Sequence, residues 1–217
     1  ARYGTRFHGK MESDALPADA QPAEPPATAA DAHLQRILPH LLIGDIVAAQ
    51  NPELLAAEGV SRVIDLSNMF PDAKSERFVE VTEGTEEPVA SRLDVHVDDS
   101  PSEDISWAFD ACCAYIETSR ERGETVLVHC FQGKSRSATI VIGYLLLCQN
   151  KTLREAYDMT KRARPMINPN DGFKRALMQL EKQRFPERPP SVSFKLRAAA
   201  GPPARLRSAR RDAESTH

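Results

Sequence analysis

Residues 137–148 are apolar on every side of a helical wheel, the pattern of a helix enclosed in an interior rather than lying on a surface. Just before them, Thr125, Val126, Leu127 and Val128 make a short β-branched run of the kind that fills a central strand covered on both faces. The same two periods recur along the chain. Asn51 followed by Pro52 reads as a helix start, Gly59 as its stop, and residues 61–66 as the strand that follows, an early βαβ element. Residues 92–97 alternate as a strand should. Ser100-Pro101-Ser102-Glu103 has the form of a capping box for a helix that starts near Ser102 and buries Ile105, Phe109, Cys112 and Ile116 on one face. Thr152-Leu153-Arg154-Glu155 is a second capping box, opening a helix that must stop before Pro165. Asn170 caps a last helix whose stripe is Phe173, Leu177 and Leu180.

The pattern fades at both ends. Residues 1–33 are rich in alanine and proline without apolar periodicity, and residues 185–217 combine prolines with arginines; both read as segments unable to repay their ordering entropy. Met11 reads as the natural start. One domain is expected over residues 34–184, a length that can bury a single core. Within it, residues 67–91 are polar and hold six acidic residues, which predicts a solvated loop or an extra hairpin.

Charge narrows the partners. A net charge of −3 supplies no general basic field, so no nucleic acid is expected, and the apolar run at 140–148 is too short to span a bilayer. The four cysteines, Cys112, Cys113, Cys130 and Cys148, show neither metal spacing nor a secreted disulfide framework. That favours a reducing, intracellular setting, cytoplasmic first, with the nucleus left open. Oligomeric state has no signature in the sequence.

Between the strand and the buried helix lies His129-Cys130-Phe131-Gln132-Gly133-Lys134-Ser135-Arg136-Ser137. A loop at such a junction turns backbone N–H groups inward, and the helix N-terminus adds its positive end, so an anion is drawn in. Gly133 permits the tight turn. A thiol held in such a cradle is expected as a thiolate, which makes Cys130 a candidate nucleophile. Arg136 offers a planar fork able to hold two phosphoryl oxygens at once. Loop amides plus guanidinium suit a phosphoryl group in transfer, with a phosphocysteine intermediate. Ser137 can donate its hydroxyl to the sulfur, and His129 is read as orienting the loop. Residues 131–136 are the candidate phosphate-binding set: Phe131, Gln132, Gly133, Lys134, Ser135 and Arg136.

The His129-Cys130-(five residues)-Arg136 run resembles the signature of the cysteine-dependent protein tyrosine phosphatase superfamily, and its Ser135-Arg136-Ser137 ending is similar to the dual-specificity branch. The resemblance runs from residues 37–44 to Pro169-Asn170-Asp171-Gly172-Phe173. It implies an α/β fold with a central mixed, largely parallel sheet of about five strands flanked by helices. It also implies a general acid about thirty residues before the cysteine, which Asp99 of Val97-Asp98-Asp99-Ser100-Pro101 supplies, with Asp98 as the rival. Asn170 is implied to support the active-site loops. The strictly tyrosine-specific Trp-Pro-Asp loop is not evident, which implies a shallower cleft open to phosphotyrosine, phosphoserine and phosphothreonine. Phosphorylated proteins are the expected substrates, kinases are candidate partners, and no cofactor or metal is expected. A non-protein phosphate ester and a silent phosphopeptide-binding scaffold are the competing readings.

Overall fold

The computed structural model describes residues 32–68, 78–81 and 91–196. The terminal segments 1–31 and 197–217, and most of the acidic 67–91 stretch, lie outside the described residues. The strands are β1 (Leu34–Leu38), β2 (Leu41–Gly44), β3 (Val60–Asp65), β4 (Phe78–Val81), β5 (Ser91–Val95) and β6 (Thr125–His129). The helices are α1 (Ile46–Ala49), α2 (Pro52–Ala57), α3 (Phe109–Glu121), α4 (Arg136–Leu147), α5 (Leu153–Ala163) and α6 (Asp171–Arg184). The sheet order is β1-β2-β6-β3-β5-β4. Its four inner strands run parallel, and β1 and β4 close the edges antiparallel. The mixed, largely parallel sheet is therefore as expected, with a sixth strand, β4, arising inside the acidic stretch and pairing with β5.

The β-branched run becomes the centre because both of its faces are covered. Val126 and Val128 of β6 join Leu41, Ile43 and Ile64 in the large core, together with α3, α4, α5 and α6. Leu127 turns to the other face, with Leu42, Val63, Ala48 and Leu55 beneath α1 and α2. Parallel register then levels the strand ends, since Gly44 of β2 and Asp65 of β3 both stand opposite His129 of β6. The next residues of each strand emerge along one edge, where ligands of open α/β sheets bind.

Capping follows the sequence at three helices. Asn51 caps α2 with Pro52 at its first position, Thr152 and Glu155 complete a capping box on α5, and Asn170 accepts from Phe173 N on α6. The box expected at Ser100 does not form. Ser100 makes a local turn with Ser102, Asp104 accepts from Ser106 N at 2.9 Å, and α3 begins only at Phe109 after a 3₁₀ turn. Side chains that cap turns and helices look alike in sequence.

The expectation of an unstructured tail from 185 fails over residues 185–196. Glu181, buried near the start of α5, accepts from Leu153 N at 2.7 Å and also binds Ser191 N at 3.1 Å. That anchor seats Val192 in the core and Phe194 on Tyr157, ring centroids 5.2 Å apart. One buried carboxylate with apolar residues one and three positions beyond the anchored serine orders a stretch that composition assigns to disorder.

Candidate active site

Cys130 follows β6 directly and is 2% exposed. The loop from it to α4 is held from outside by its carbonyls. Phe131 O accepts from Ile46 N at 3.3 Å, Gln132 O and Gly133 O from Arg164 at 3.2 and 2.8 Å, and Lys134 O from Asn168 N at 2.8 Å. In a planar trans peptide the N–H points opposite to the C=O. Four carbonyls drawn outward thus aim the following N–H groups inward, toward the sulfur. Gly133 takes φ +64°, and a Cβ there would lie 2.5 Å from Gly44 O and 2.6 Å from Arg164 Nη2. No other residue type fits that bend.

Arg164 is the element that sequence reasoning missed. At the end of α5, beside Pro165, it is 1% exposed and reaches Gln35 and Ala32 O as well as the loop. Its counter-charge is Asp45, at 3.1 Å, which also caps α1 through Val47 N and Ala48 N and meets His33 at 2.9 Å. Burial pulls the guanidinium pKa down and Asp45 opposes that pull. The surviving clue was a cation just before Pro165, where a helix must end against something.

Arg136 opens α4 and is buried, its Nη1 making one long hydrogen bond of 3.4 Å to Val97 O. Its Nε has no hydrogen-bond partner among the described residues. A buried, unsatisfied guanidinium N–H is costly, and an oxyanion beside Cys130 would satisfy it. Ser137 Oγ lies 3.3 Å from Cys130 Sγ, the geometry for donating to a thiolate. His129 is 2% exposed with Nε2 3.5 Å from Asp65, and burial lowers its pKa, so it stays neutral within the strand end. Its carbonyl accepts from Leu66 N.

The acid loop leaves β5 and folds over this edge. Asp99 Oδ1 accepts from Ser135 Oγ at 2.7 Å and from Asn170 Nδ2 at 2.9 Å, while Asn170 N donates to Ser135 Oγ at 3.1 Å. Asp98 turns elsewhere, accepting from Asn68 Nδ2 at 3.1 Å. Asp99, Cys130, Phe131, Gln132, Ser135 and Arg136 line a cleft of about 270 Å³, joined by Ser67 from the end of β3, a residue the sequence did not single out. Gly133 and Lys134 form the outer bend. The free thiols of Cys113 and Cys148 hydrogen-bond to each other, and Cys148 ends α4, about 18 Å of helix from its start.

The model of the dual specificity phosphatase catalytic domain matches residues 42–183. The chain belongs to the dual specificity phosphatase family. Among its relatives in that family, human dual specificity phosphatase 28 is 33% identical over 75% of this chain and 81% of its own length. Dual specificity protein phosphatase 1 of Arabidopsis thaliana is 34% identical over 65% of this chain and 66% of its own. A MAP kinase phosphatase with leucine-rich repeats from Dictyostelium discoideum is 31% identical, and the match spans 18% of that protein. The chain thus spans from under a fifth to about four fifths of these relatives. The crystal structure of human DUSP28 superposes with a TM-score of 0.59 at 32% identity, over 76% of this chain and 98% of that one.

Proposed function

We propose that the domain, residues 34–184 with the docked 185–196 segment, is a phosphatase that hydrolyses phosphotyrosine and phosphoserine or phosphothreonine in proteins through a phosphocysteine intermediate. The observation that carries this reading is the buried Arg136 with an unpartnered Nε beside Cys130, in a loop whose carbonyls from Phe131 to Lys134 are held from outside. Such a cradle stabilises charge on the three equatorial oxygens of a phosphoryl group in flight. Cys130 Sγ attacks phosphorus in line, and the P–O bond to the substrate breaks. Asp99 passes its proton to the departing oxygen. Water then attacks the phosphocysteine with Asp99 taking its proton, the S–P bond breaks, and Ser137 Oγ donates to the returning thiolate.

Ser135 and Asn170 are the positioning residues that hold the Asp99 carboxylate over the cleft. Lys134 supplies long-range attraction for the dianion from the bend. No step calls on a metal or cofactor. Turnover of an aryl phosphate, with a chelator present, tests the proposal. Wild type should be active, and Cys130→Ser and Arg136→Lys should each lose at least ~10³-fold. Activity retained by Cys130→Ser would overturn it, and binding of phosphopeptide without turnover by wild type would favour a silent scaffold.

A further inference from the structure

Among the described residues three large apolar side chains stand exposed: Val47 at 53%, Phe131 at 52% and Met166 at 43%. Isolated exposed apolar residues are ordinary, but these three are tied to one loop. Phe131 lines the cleft itself. Its carbonyl accepts from Ile46 N, which places Val47 beside it on the first turn of α1. At the far end of the same loop Lys134 O accepts from Asn168 N, and Met166 lies two residues before that bond. Apolar surface therefore stands at both ends of the phosphate loop. The acid loop opposite has another character, since residues 98–104 contain Asp98, Asp99, Glu103 and Asp104 and no lysine or arginine.

We propose that Val47, Phe131 and Met166 form apolar shoulders that select protein segments with large apolar side chains beside the phosphorylated residue, while the carboxylates of 98–104 turn acidic flanks away. The inference rests on the phosphatase reading of the cleft. An extended peptide advances about 3.3–3.6 Å per residue, so the neighbours of a phosphoresidue seated on Cys130 pass over the two ends of the loop. There they cover the apolar surface of Val47 and Met166, with Phe131 lining the cleft between them. A polyanionic lipid headgroup would meet Lys134 as the only cation of the loop besides Arg136, and segment 98–104 opposite carries four carboxylates, Asp99 within the cleft itself, against the single guanidinium of Arg175 at Pro101 O. The charge pattern therefore favours the peptide.

The test compares three phosphotyrosine peptides differing only in the flanking residues (leucine, serine or glutamate) with an aryl phosphate as the reference. In wild type, kcat/KM should fall from leucine to serine to glutamate flanks by about 10-fold at each step. The double variant Val47→Ser/Met166→Ser should bring the leucine peptide down to the serine one, mainly through KM, and leave the aryl phosphate unchanged. Equal or faster turnover of the glutamate peptide would overturn the proposal. So would an equal loss by the variant on every substrate, which would make the two residues supports of the fold. A uniform gain would place a segment of this chain on the shoulders. Turnover of phosphoinositide vesicles above all peptides, lost in the variant, would assign them to a membrane. If wild type leaves the aryl phosphate intact, the phosphatase reading itself fails; aryl phosphate turnover with a flat peptide profile sinks the shoulders alone.

Discussion

Ser135 shows how single residues in this chain divide between stability and chemistry. It occupies the N-cap of α4 yet makes no side-chain capping bond, a loss of about 1 kcal/mol at an ordinary helix. Its hydroxyl goes to Asp99 instead. That contact also separates the two adjacent aspartates, which the sequence left as rivals. Asp99→Asn should lower turnover of a phosphotyrosine peptide by ~10²–10⁴, and Asp98→Asn by far less, because Asp98 only braces Asn68. The reverse ordering in steady-state kinetics would reassign the acid. Arg164→Lys should be as harmful as a catalytic change despite preserving charge. An ammonium cannot reach Gly133 O, Gln132 O, Gln35 and Asp45 together, so the expected cost is about 2 kcal/mol or more, read as a lower Tm with activity lost in parallel.

At the scale of elements, the site is a meeting of strand ends with two helix N-termini. The β6–loop–α4 unit was legible because a fully apolar helix after a β-branched strand leaves only the hinge to carry polar chemistry. The part of α6 was legible only at its cap, where the resemblance implied that Asn170 supports the loops; the rest depends on a close approach that no motif marks. A Cβ on Gly172 would overlap Pro101 O of the acid loop, which Arg175 also contacts at 3.1 Å. Alanine is intrinsically better than glycine within a helix by about 1 kcal/mol, but here the clash decides. Gly172→Ala should push the acid loop away and cost about 10–100-fold on phosphopeptides, with a smaller loss on aryl phosphates whose leaving groups need little acid help. An equal loss on both would show that α6 supports the phosphate loop instead.

For the whole molecule, acid is the condition that should unmake the fold. Burial lowers the pKa of His129 from its ordinary 6.5, so the unfolded chain takes up a proton that the native state refuses. This contribution is complete above about pH 6.5 and is lost as pH falls below it. Glu117 acts in the same direction lower down. Burial works against its charge, but hydrogen bonds from Arg120 and Tyr144 outweigh burial and hold its pKa below 4.5, so its contribution is lost as pH falls below that value. Tm should therefore be flat between about pH 8 and 7 and decline in two stages, His40 adding to the upper and Glu155 to the lower, and Glu117→Gln should shrink the lower stage while His129 keeps the upper one in place. A Tm that rises on mild acidification would contradict both assignments.

Local patterns were enough to determine the strand–loop–helix carrying Cys130 and Arg136, the order of the elements from α2 to α6 apart from β4, and most of the caps, because these depend on period, spacing and residue type within a few positions. Tertiary structure alone showed that Asp99 and not Asp98 lines the cleft with Cys130, that Arg164 and Asp45 grip the loop from behind, and that residues 185–196 dock. Each of those outcomes rests on partners that lie far away in the chain, 119 positions apart for Arg164 and Asp45. For the first two, the parallel register that levels the ends of β2, β6 and β3 brings the partners to one edge.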